Sequence, residues 1–95
     1  MNTNMTQPEE TPSLLTFPCV FPIKVMGRRE DGFAQEISAL VLRHAPDFHP
    51  ETLEMRTSKN GRYLSLTITI NARSRAQLDA IYMELSSHPR VLMAL

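Results

Sequence analysis

Apolar and polar residues alternate strictly in the segment YLSLTITI, which covers residues 63–70. Leucine or isoleucine occupies every even position from 64 to 70, and tyrosine, serine or threonine occupies the positions between them. This period of two predicts a β-strand that packs one face against a core and turns hydroxyl groups outward on the other. The dipeptide Asn60-Gly61 just before it predicts a hairpin with a type I′ turn, in which both central residues need a positive φ.

Three further strands are predicted from shorter alternating segments. Residues 21–27 form the first, and residues 52–57 form the second, with Leu53 and Met55 facing inward. The segment VLMAL at residues 91–95 supplies the last. The chain is therefore expected to contain four strands, two of which are joined by the hairpin.

The segment between the first two strands has the spacing of an amphipathic helix. Asp31 is a suitable N-cap, because its carboxylate can accept a hydrogen bond from an amide of the first turn. Pro46 ends the helix, since proline disfavours a helical conformation in the residue before it. The predicted inward face consists of Phe33, Ile37, Leu40, Val41 and His44.

A second helix is predicted after the third strand. Ser74 and Gln77 form a capping-box sequence, with serine at the N-cap and glutamine three residues later. His88-Pro89 marks the end of this helix. Its apolar face is predicted to contain Leu78, Ile81, Tyr82 and Leu85.

The predicted elements follow the order β-α-β-β-α-β, in which two βα units are joined by a hairpin. This order is the ferredoxin-like arrangement of the α+β class. Right-handed crossovers would place both helices on one face of a four-stranded antiparallel sheet. We assign residues 14–95 to this single domain and residues 1–13, which are polar and acidic, to a flexible N-terminal tail.

Composition and charge limit the function classes. The 95 residues, 42% of them hydrophobic, suffice for one domain with a modest core. The ten basic and ten acidic residues cancel, and the outward side of the third strand offers one aromatic residue, so we do not expect nucleic acid as a partner. No apolar stretch approaches the roughly 20 residues that a membrane span needs. The single Cys19 cannot form an internal disulfide, and we expect a cytoplasmic protein.

The sequence offers no convincing catalytic or metal-binding set. Its three histidines and one cysteine show neither CxxC nor HxxxH spacing. Glu30 and Asp31 are explained by capping of the first helix, and Glu9 and Glu10 lie in the predicted tail. We therefore expect a protein that is not an enzyme and that holds neither a metal nor a cofactor.

Four short segments carry a resemblance to a known family: FPIKVMG, RHAP, SKNGRY and SLTITINA. In this order they resemble the YbeD-like proteins, small bacterial proteins classed as a domain of unknown function, over roughly residues 14–95. The resemblance implies a ferredoxin-like fold similar to the regulatory ACT domains, which bind amino acids. It implies no established catalytic activity.

The junction between the first strand and the first helix is the main candidate site. Gly27 can let a ligand approach the backbone, and Arg28 and Arg29 can bind a carboxylate through paired hydrogen bonds. The free amides of a helix N-terminus add donors for an anion. The resemblance implies the same junction, because effectors of ACT-like domains bind there, often at a dimer interface. The alternative is an ordinary charged loop before a helix.

The hairpin is a minor candidate site. Ser58, Lys59, Arg62 and Tyr63 could form a polar contact at its tip, whereas a structural turn explains the same residues without a ligand. A phosphate cradle would need a helix N-terminus, which a turn between two strands lacks.

Two functions follow as hypotheses. The first is a non-enzymatic, ACT-like regulatory or small-molecule-binding module that responds to a small anionic effector, with a homodimer as one form it could take. The second is an adaptor that binds an unknown protein partner through the open sheet face or an edge strand. An effector would have to favour one state of the protein over another in order to regulate it.

Overall fold

The computed structural model describes residues 15–95, and the predicted tail at residues 1–13 lies outside them. The elements are β1 (Cys19–Arg28), α1 (Phe33–His44), a 3₁₀ turn (Pro50–Thr52), β2 (Glu54–Thr57), β3 (Tyr63–Ala72), α2 (Arg75–Ser87) and β4 (Val91–Ala94). This order confirms the predicted β-α-β-β-α-β succession and the α+β class.

The four strands form one antiparallel sheet in the order β2-β3-β1-β4. The two central strands, β1 and β3, pair along their whole length from Cys19 opposite Ala72 to Arg28 opposite Tyr63. Both helices pack on one face, where they bury the apolar side of the sheet. The fully buried side chains include Ile23, Val25, Leu66 and Ile68 from the strands, and Phe33, Ile37, Val41, Ile81 and Leu85 from the helices.

The first strand is longer than predicted and contains Pro22 without losing a hydrogen bond to a neighbour. Lys24 exchanges backbone hydrogen bonds with Leu95 at 3.0 and 2.8 Å, so its amide points towards β4. Pro22 lies two residues earlier and therefore turns its nitrogen to the same side, beyond the described pairing of β1 with β4. A proline is tolerated there because no ladder bond is needed from it.

The start of α1 differs from the prediction. Gly32, not Asp31, is the N-cap residue, and the cap has no side-chain hydrogen bond. Gly32 has a φ of 81°, a left-handed conformation that glycine adopts without a steric penalty. The chain thus enters the helix through a glycine one residue after the predicted cap, and the Asp31 carboxylate has no capping role.

The second strand is shorter than predicted, because Pro50–Thr52 form a 3₁₀ turn and extended structure begins at Glu54. Met55 faces inward as predicted, but it is not covered. Met55 lies opposite the buried Leu66, so it is on the helix side of the sheet, but 61% of its surface is exposed. The reason is that β2 forms the edge of the sheet, where the helices do not cover it.

The hairpin is confirmed, but its turn is not of type I′. Gly61 has a φ of 76°, whereas Asn60 does not have a positive φ. The Gly61 amide donates to the Ser58 carbonyl at 2.9 Å, which closes a β-turn before the left-handed glycine. The Asn60 side-chain oxygen accepts hydrogen bonds from the Ser58 hydroxyl at 2.8 Å and the Arg62 amide at 3.0 Å. These bonds fix Asn60 in a different conformation from the one that a type I′ turn requires.

The N-terminus of α2 forms as predicted. The Ser74 hydroxyl accepts a hydrogen bond from the Gln77 amide at 3.0 Å. The Gln77 side chain reaches back to the Arg73 amide at 2.6 Å, one residue before the serine, and also donates to the His44 carbonyl at 2.9 Å. One glutamine therefore caps the start of α2 and the end of α1 together.

Candidate functional site

The two predicted sites meet at one end of the sheet. Arg28, the last residue of β1, lies opposite Tyr63, the first residue of β3. The Arg29 amide donates to the Arg62 carbonyl at 2.8 Å, which places the loop after β1 beside the hairpin. We call the exposed side chains Arg28, Arg29, Lys59 and Arg62 the cationic end.

Gly27 is not part of this exposed group. It is buried within β1, and an added Cβ atom would lie 2.4 Å from Cζ of Phe33 and 2.5 Å from the carbonyl oxygen of Arg90. Both distances are shorter than any normal carbon contact. The space beside Gly27 is therefore filled by the Phe33 ring and the backbone that precedes β4, and close packing explains the glycine.

Ser58 is committed to the structure of the hairpin. Its hydroxyl donates to the Asn60 side chain and accepts a hydrogen bond from the Tyr63 amide at 3.0 Å. The minor candidate site is therefore reduced to the exposed Lys59 and Arg62 and the half-buried Tyr63.

The N-terminus of α1 already contacts a cation that is distant in sequence and was not predicted to lie there. The Arg90 guanidinium donates to Glu30 at 3.2 Å, to Glu36 at 2.6 Å and to the Asp31 carbonyl at 2.8 Å. The hydrogen bond from Arg90 lowers the pKa of the Glu36 carboxyl below its ordinary value. An anionic ligand at this helix start would approach the carboxylates of Glu30, Asp31 and Glu36, which would repel it.

The lysines and arginines of the described residues fall into two groups, those with and those without an acidic partner. Within residues 15–95, the arginines in or next to α2 and at the end of α1 are paired with acids, whereas the strands and their turns hold cations that lack an acidic partner. The paired residues are Arg43, Arg73, Arg75 and Arg90. The cations without an ionic partner in these residues are Lys24, Arg28, Arg29, Arg56, Lys59 and Arg62.

The sheet face opposite the helices continues from the cationic end as a mixed surface. Lys24 lies opposite both Thr67 and Leu95, and Met26 lies opposite Ser65 and Met93. Leu95 is 69% exposed. A shallow hollow of about 300 Å³ on this face is lined in part by Lys24, Arg56, Ser65 and Thr67, and also by the carboxylate residue Glu54. The face combines positive charge with exposed apolar side chains.

A carboxylate of α2 connects the two helices. The imidazole of His44 at the end of α1 lies 2.7 Å from the Glu84 carboxylate of α2, and Arg43 pairs with the same carboxylate. The hydrogen bond with His44 lowers the pKa of Glu84. In residues 15–95, no three histidine, cysteine, aspartate or glutamate side chains converge as a metal site would require, and no helix has the length and apolarity of a membrane span.

Comparison with known families identifies the family of this chain. Residues 12–95 match the family described as "Protein of unknown function (DUF493)". The chain belongs to this family. Membership in DUF493 confirms the resemblance to the YbeD-like proteins, and the description of the family carries no activity that could be transferred to a residue.

Relatives of this DUF493 chain match it over nearly their whole length. It is 54% identical over 83 residues to a UPF0250 protein of Nitrosomonas europaea, a match that covers 87% of this chain and 95% of the relative. It is 48% identical over 94 residues to a UPF0250 protein of Ralstonia nicotianae, with 99% and 95% covered. The solution structure of protein HP0495 from H. pylori has a similar fold, with a TM-score of 0.73, 20% identity, and 99% and 98% of the two chains covered.

Proposed function

We propose that this protein is a non-enzymatic interaction module whose open sheet face binds an acidic surface of a protein partner in the cytoplasm. The observation that carries the proposal is the set of cations at one end of the sheet, Arg28, Arg29, Lys59 and Arg62, which have no acidic partner within residues 15–95. A surface of this kind attracts negative charge and orients a partner during encounter.

Apolar groups beside the cations supply the second requirement of a protein interface. Met93 and Leu95 of the β4 segment are exposed at 48% and 69%, and Met26 of β1 lies opposite Met93 on the same face. Charge at the rim of an interface mainly sets the rate and specificity of association, whereas apolar burial provides much of the affinity. The sheet face offers the two kinds of group side by side.

An ACT-like regulatory role, in which a small anionic effector binds at Gly27, Arg28 and Arg29, is the second candidate. Arg28 supports it, because its guanidinium has no acidic partner in residues 15–95 and lines a hollow of about 280 Å³ together with Glu30, Arg90 and Leu92. We rank this role lower for two reasons. The space at Gly27 is occupied, and small-ligand sites are usually deeper and more apolar than this charged hollow.

Binding of a defined acidic probe tests the main proposal. We expect a poly-glutamate peptide to shift the amide resonances of residues 24–29 and 59–63 in the isotope-labelled protein, and the shifts should weaken as salt is raised. The charge-reversal variant Arg28→Glu should bind the peptide several-fold more weakly, because it replaces attraction by repulsion. The matched control is Arg75→Glu on α2, which changes the net charge equally but lies among the helices.

The natural partner can then be sought with the same pair of variants. A partner captured from bacterial cytosol by the wild type and by Arg75→Glu, but lost with Arg28→Glu, would support the proposal once the purified partner shifts the same resonances. Shifts confined to the helices, or equal weakening by both variants, would refute it. Shifts at residues 26–34 caused by free amino acids or keto acids would favour the ACT-like role instead.

A further inference from the structure

The edge strand β2 carries a pattern that pairs with itself. Its sequence is Glu54-Met55-Arg56-Thr57, and all four residues are exposed. On one side it pairs with β3, and within residues 15–95 no strand pairs with its other side. Charged residues usually protect such an edge from other chains. Here an acid and a base lie two residues apart on one face, so two antiparallel copies can match opposite charges.

The direction of the backbone groups decides which residues can pair. The Ser58 amide donates to the Tyr63 carbonyl at 3.0 Å, so Ser58 belongs to a hydrogen-bonded pair with β3. Because such pairs alternate along an antiparallel ladder, Arg56 and Glu54 also direct their backbone groups to β3. Met55 and Thr57 therefore turn their amides and carbonyls to the free edge.

Symmetry and charge then favour one register among those centred on Glu54, Met55 or Arg56. In a twofold pair of antiparallel strands, opposite residues lie on the same face of the sheet, and residues of one strand on the same face are an even number of positions apart. The axis must therefore lie at one residue position, where the two copies of that residue face each other, and cannot lie midway between two consecutive positions. An axis at Arg56 would set two guanidiniums against each other, and an axis at Glu54 would do the same with two carboxylates. Like charges directly opposite each other are destabilising, which disfavours these two registers. An axis at Met55 instead sets Glu54 of each copy opposite Arg56 of the other, so that opposite charges meet.

We infer that two copies of this chain associate through β2, with the twofold axis at Met55, to form a continuous eight-stranded sheet. The two Met55 residues exchange both of their backbone hydrogen bonds. The Thr57 amide of each copy reaches the Leu53 carbonyl of the other, whose own amide is already bonded to Pro50 at 3.1 Å. The amide and carbonyl of Met55 and the amide of Thr57 thus find partners, while the Thr57 carbonyl remains at the solvent-exposed end of the pairing.

The helix side of the same edge provides apolar surface to cover. Met55 is 61% exposed, and it borders a trough of about 370 Å³ between β2 and α1, lined also by Ala39, Leu42, Pro50 and Leu53. In the proposed pair the two Met55 side chains meet at the axis between the two α1 helices. The pairing therefore joins apolar contact on the helix side with ion pairs on the open face.

This inference does not depend on the proposed acidic partner, because it uses the opposite edge from β4 and a different set of residues. The protein is expected to show a concentration-dependent increase in mass, from monomer to dimer, by analytical ultracentrifugation of the full chain. Glu54→Arg should raise the dissociation constant of the dimer about tenfold, since it turns two attractive pairs into repulsive ones. Arg56→Glu should have a similar effect.

The double variant Glu54→Arg/Arg56→Glu restores opposite charges across the axis and should recover the wild-type dissociation constant. Neither residue has an ionic partner within residues 15–95, so the exchange should leave unfolding of the monomer unchanged. Failure of the double variant to recover association, or a monomer at all concentrations, would overturn the inference.

Cross-linking gives an independent test of the register. In a Cys19→Ser background, Met55→Cys should form a disulfide between copies under mild oxidation, because Cα atoms of a hydrogen-bonded pair are about 5.5 Å apart. Met83→Cys on α2 is the control, since Met83 is also exposed but lies away from the edge. Equal cross-linking of the two variants would contradict the register.

Discussion

Replacement of Gly27 by alanine should destabilise the protein more than any other glycine-to-alanine change in the described part of the chain. The added methyl group would lie 2.4 Å from the Phe33 ring and 2.5 Å from the Arg90 carbonyl oxygen. Gly27 lies in an extended strand, so its backbone suits alanine and the cost comes from the contact alone. The ring would have to move to relieve its contact, and the carbonyl belongs to the backbone that leads into β4.

The size of the effect follows from these contacts. Overpacking a filled core by one methyl group costs about 1–3 kcal/mol, and the fixed carbonyl places Gly27→Ala near the upper end of that range. Gly32→Ala is the control, because Gly32 has open space around it and a φ of 81°. The control should cost about 1 kcal/mol, which is the penalty for alanine in a left-handed conformation.

Urea denaturation distinguishes the two changes. The unfolding midpoint of Gly27→Ala should fall by about 1 M or more, and that of Gly32→Ala by roughly half as much or less. The reasoning would be refuted by a Gly27→Ala loss no larger than that of the control. In that case the packing beside Gly27 can open, and a ligand could approach the backbone at this glycine.

Three further changes test other parts of the molecule. Ile68→Ala should cost about 2–5 kcal/mol in chemical denaturation because Ile68 is fully buried, whereas Thr67→Ala on the open face should cost less than about 1 kcal/mol; equal losses would contradict the two faces of β3. Asn60→Ala removes the acceptor of two hydrogen bonds in the hairpin and should cost about 1 kcal/mol in thermal unfolding, with Asn60→Asp as a control that keeps the acceptor. The pKa of Glu84 is lowered in the folded protein, so the stability that its carboxylate contributes is present above about pH 4.5 and is lost as the pH falls through the lower folded pKa. The difference in melting temperature between wild type and Glu84→Gln should therefore disappear in acid, and a difference that stays constant as the pH is lowered through the titration of this carboxyl would show that charge is not its cause.

The sequence predicted well those features that depend on neighbouring residues. The alternation in β3 identified its buried and outward faces, because side chains of a strand alternate whatever the surrounding fold. The Ser74 cap was also predictable, since its hydroxyl bonds an amide three residues later. The succession of these elements was enough to give the topology.

Features that depend on distant residues were not predictable. From the sequence, Gly27 was interpreted as a position that lets a ligand approach the backbone. Nothing near it in sequence reveals that Phe33 and Arg90 fill the space beside it. Met55 lies on the predicted face but remains exposed, because alternation does not reveal that a strand will be at an edge. Asn60-Gly61 correctly indicated a hairpin, yet the side-chain bonds of Asn60 determined a different turn.

The position of Arg90 also explains how a chain with no net charge keeps a cationic surface. The carboxylates of Glu30 and Glu36 lie close in sequence to Arg28 and Arg29, but Arg90 pairs with both acids from the helix side. Without that guanidinium, the acids would be free to turn towards the neighbouring arginines and reduce their field. The net charge of zero counts all ten acids, including Glu9 and Glu10 outside the described residues, whereas a partner within a Debye length of about 8–10 Å responds to the charges near it. A neutral composition therefore excludes a strong overall electrostatic field, but it is compatible with local recognition of an anionic surface at the end of this sheet.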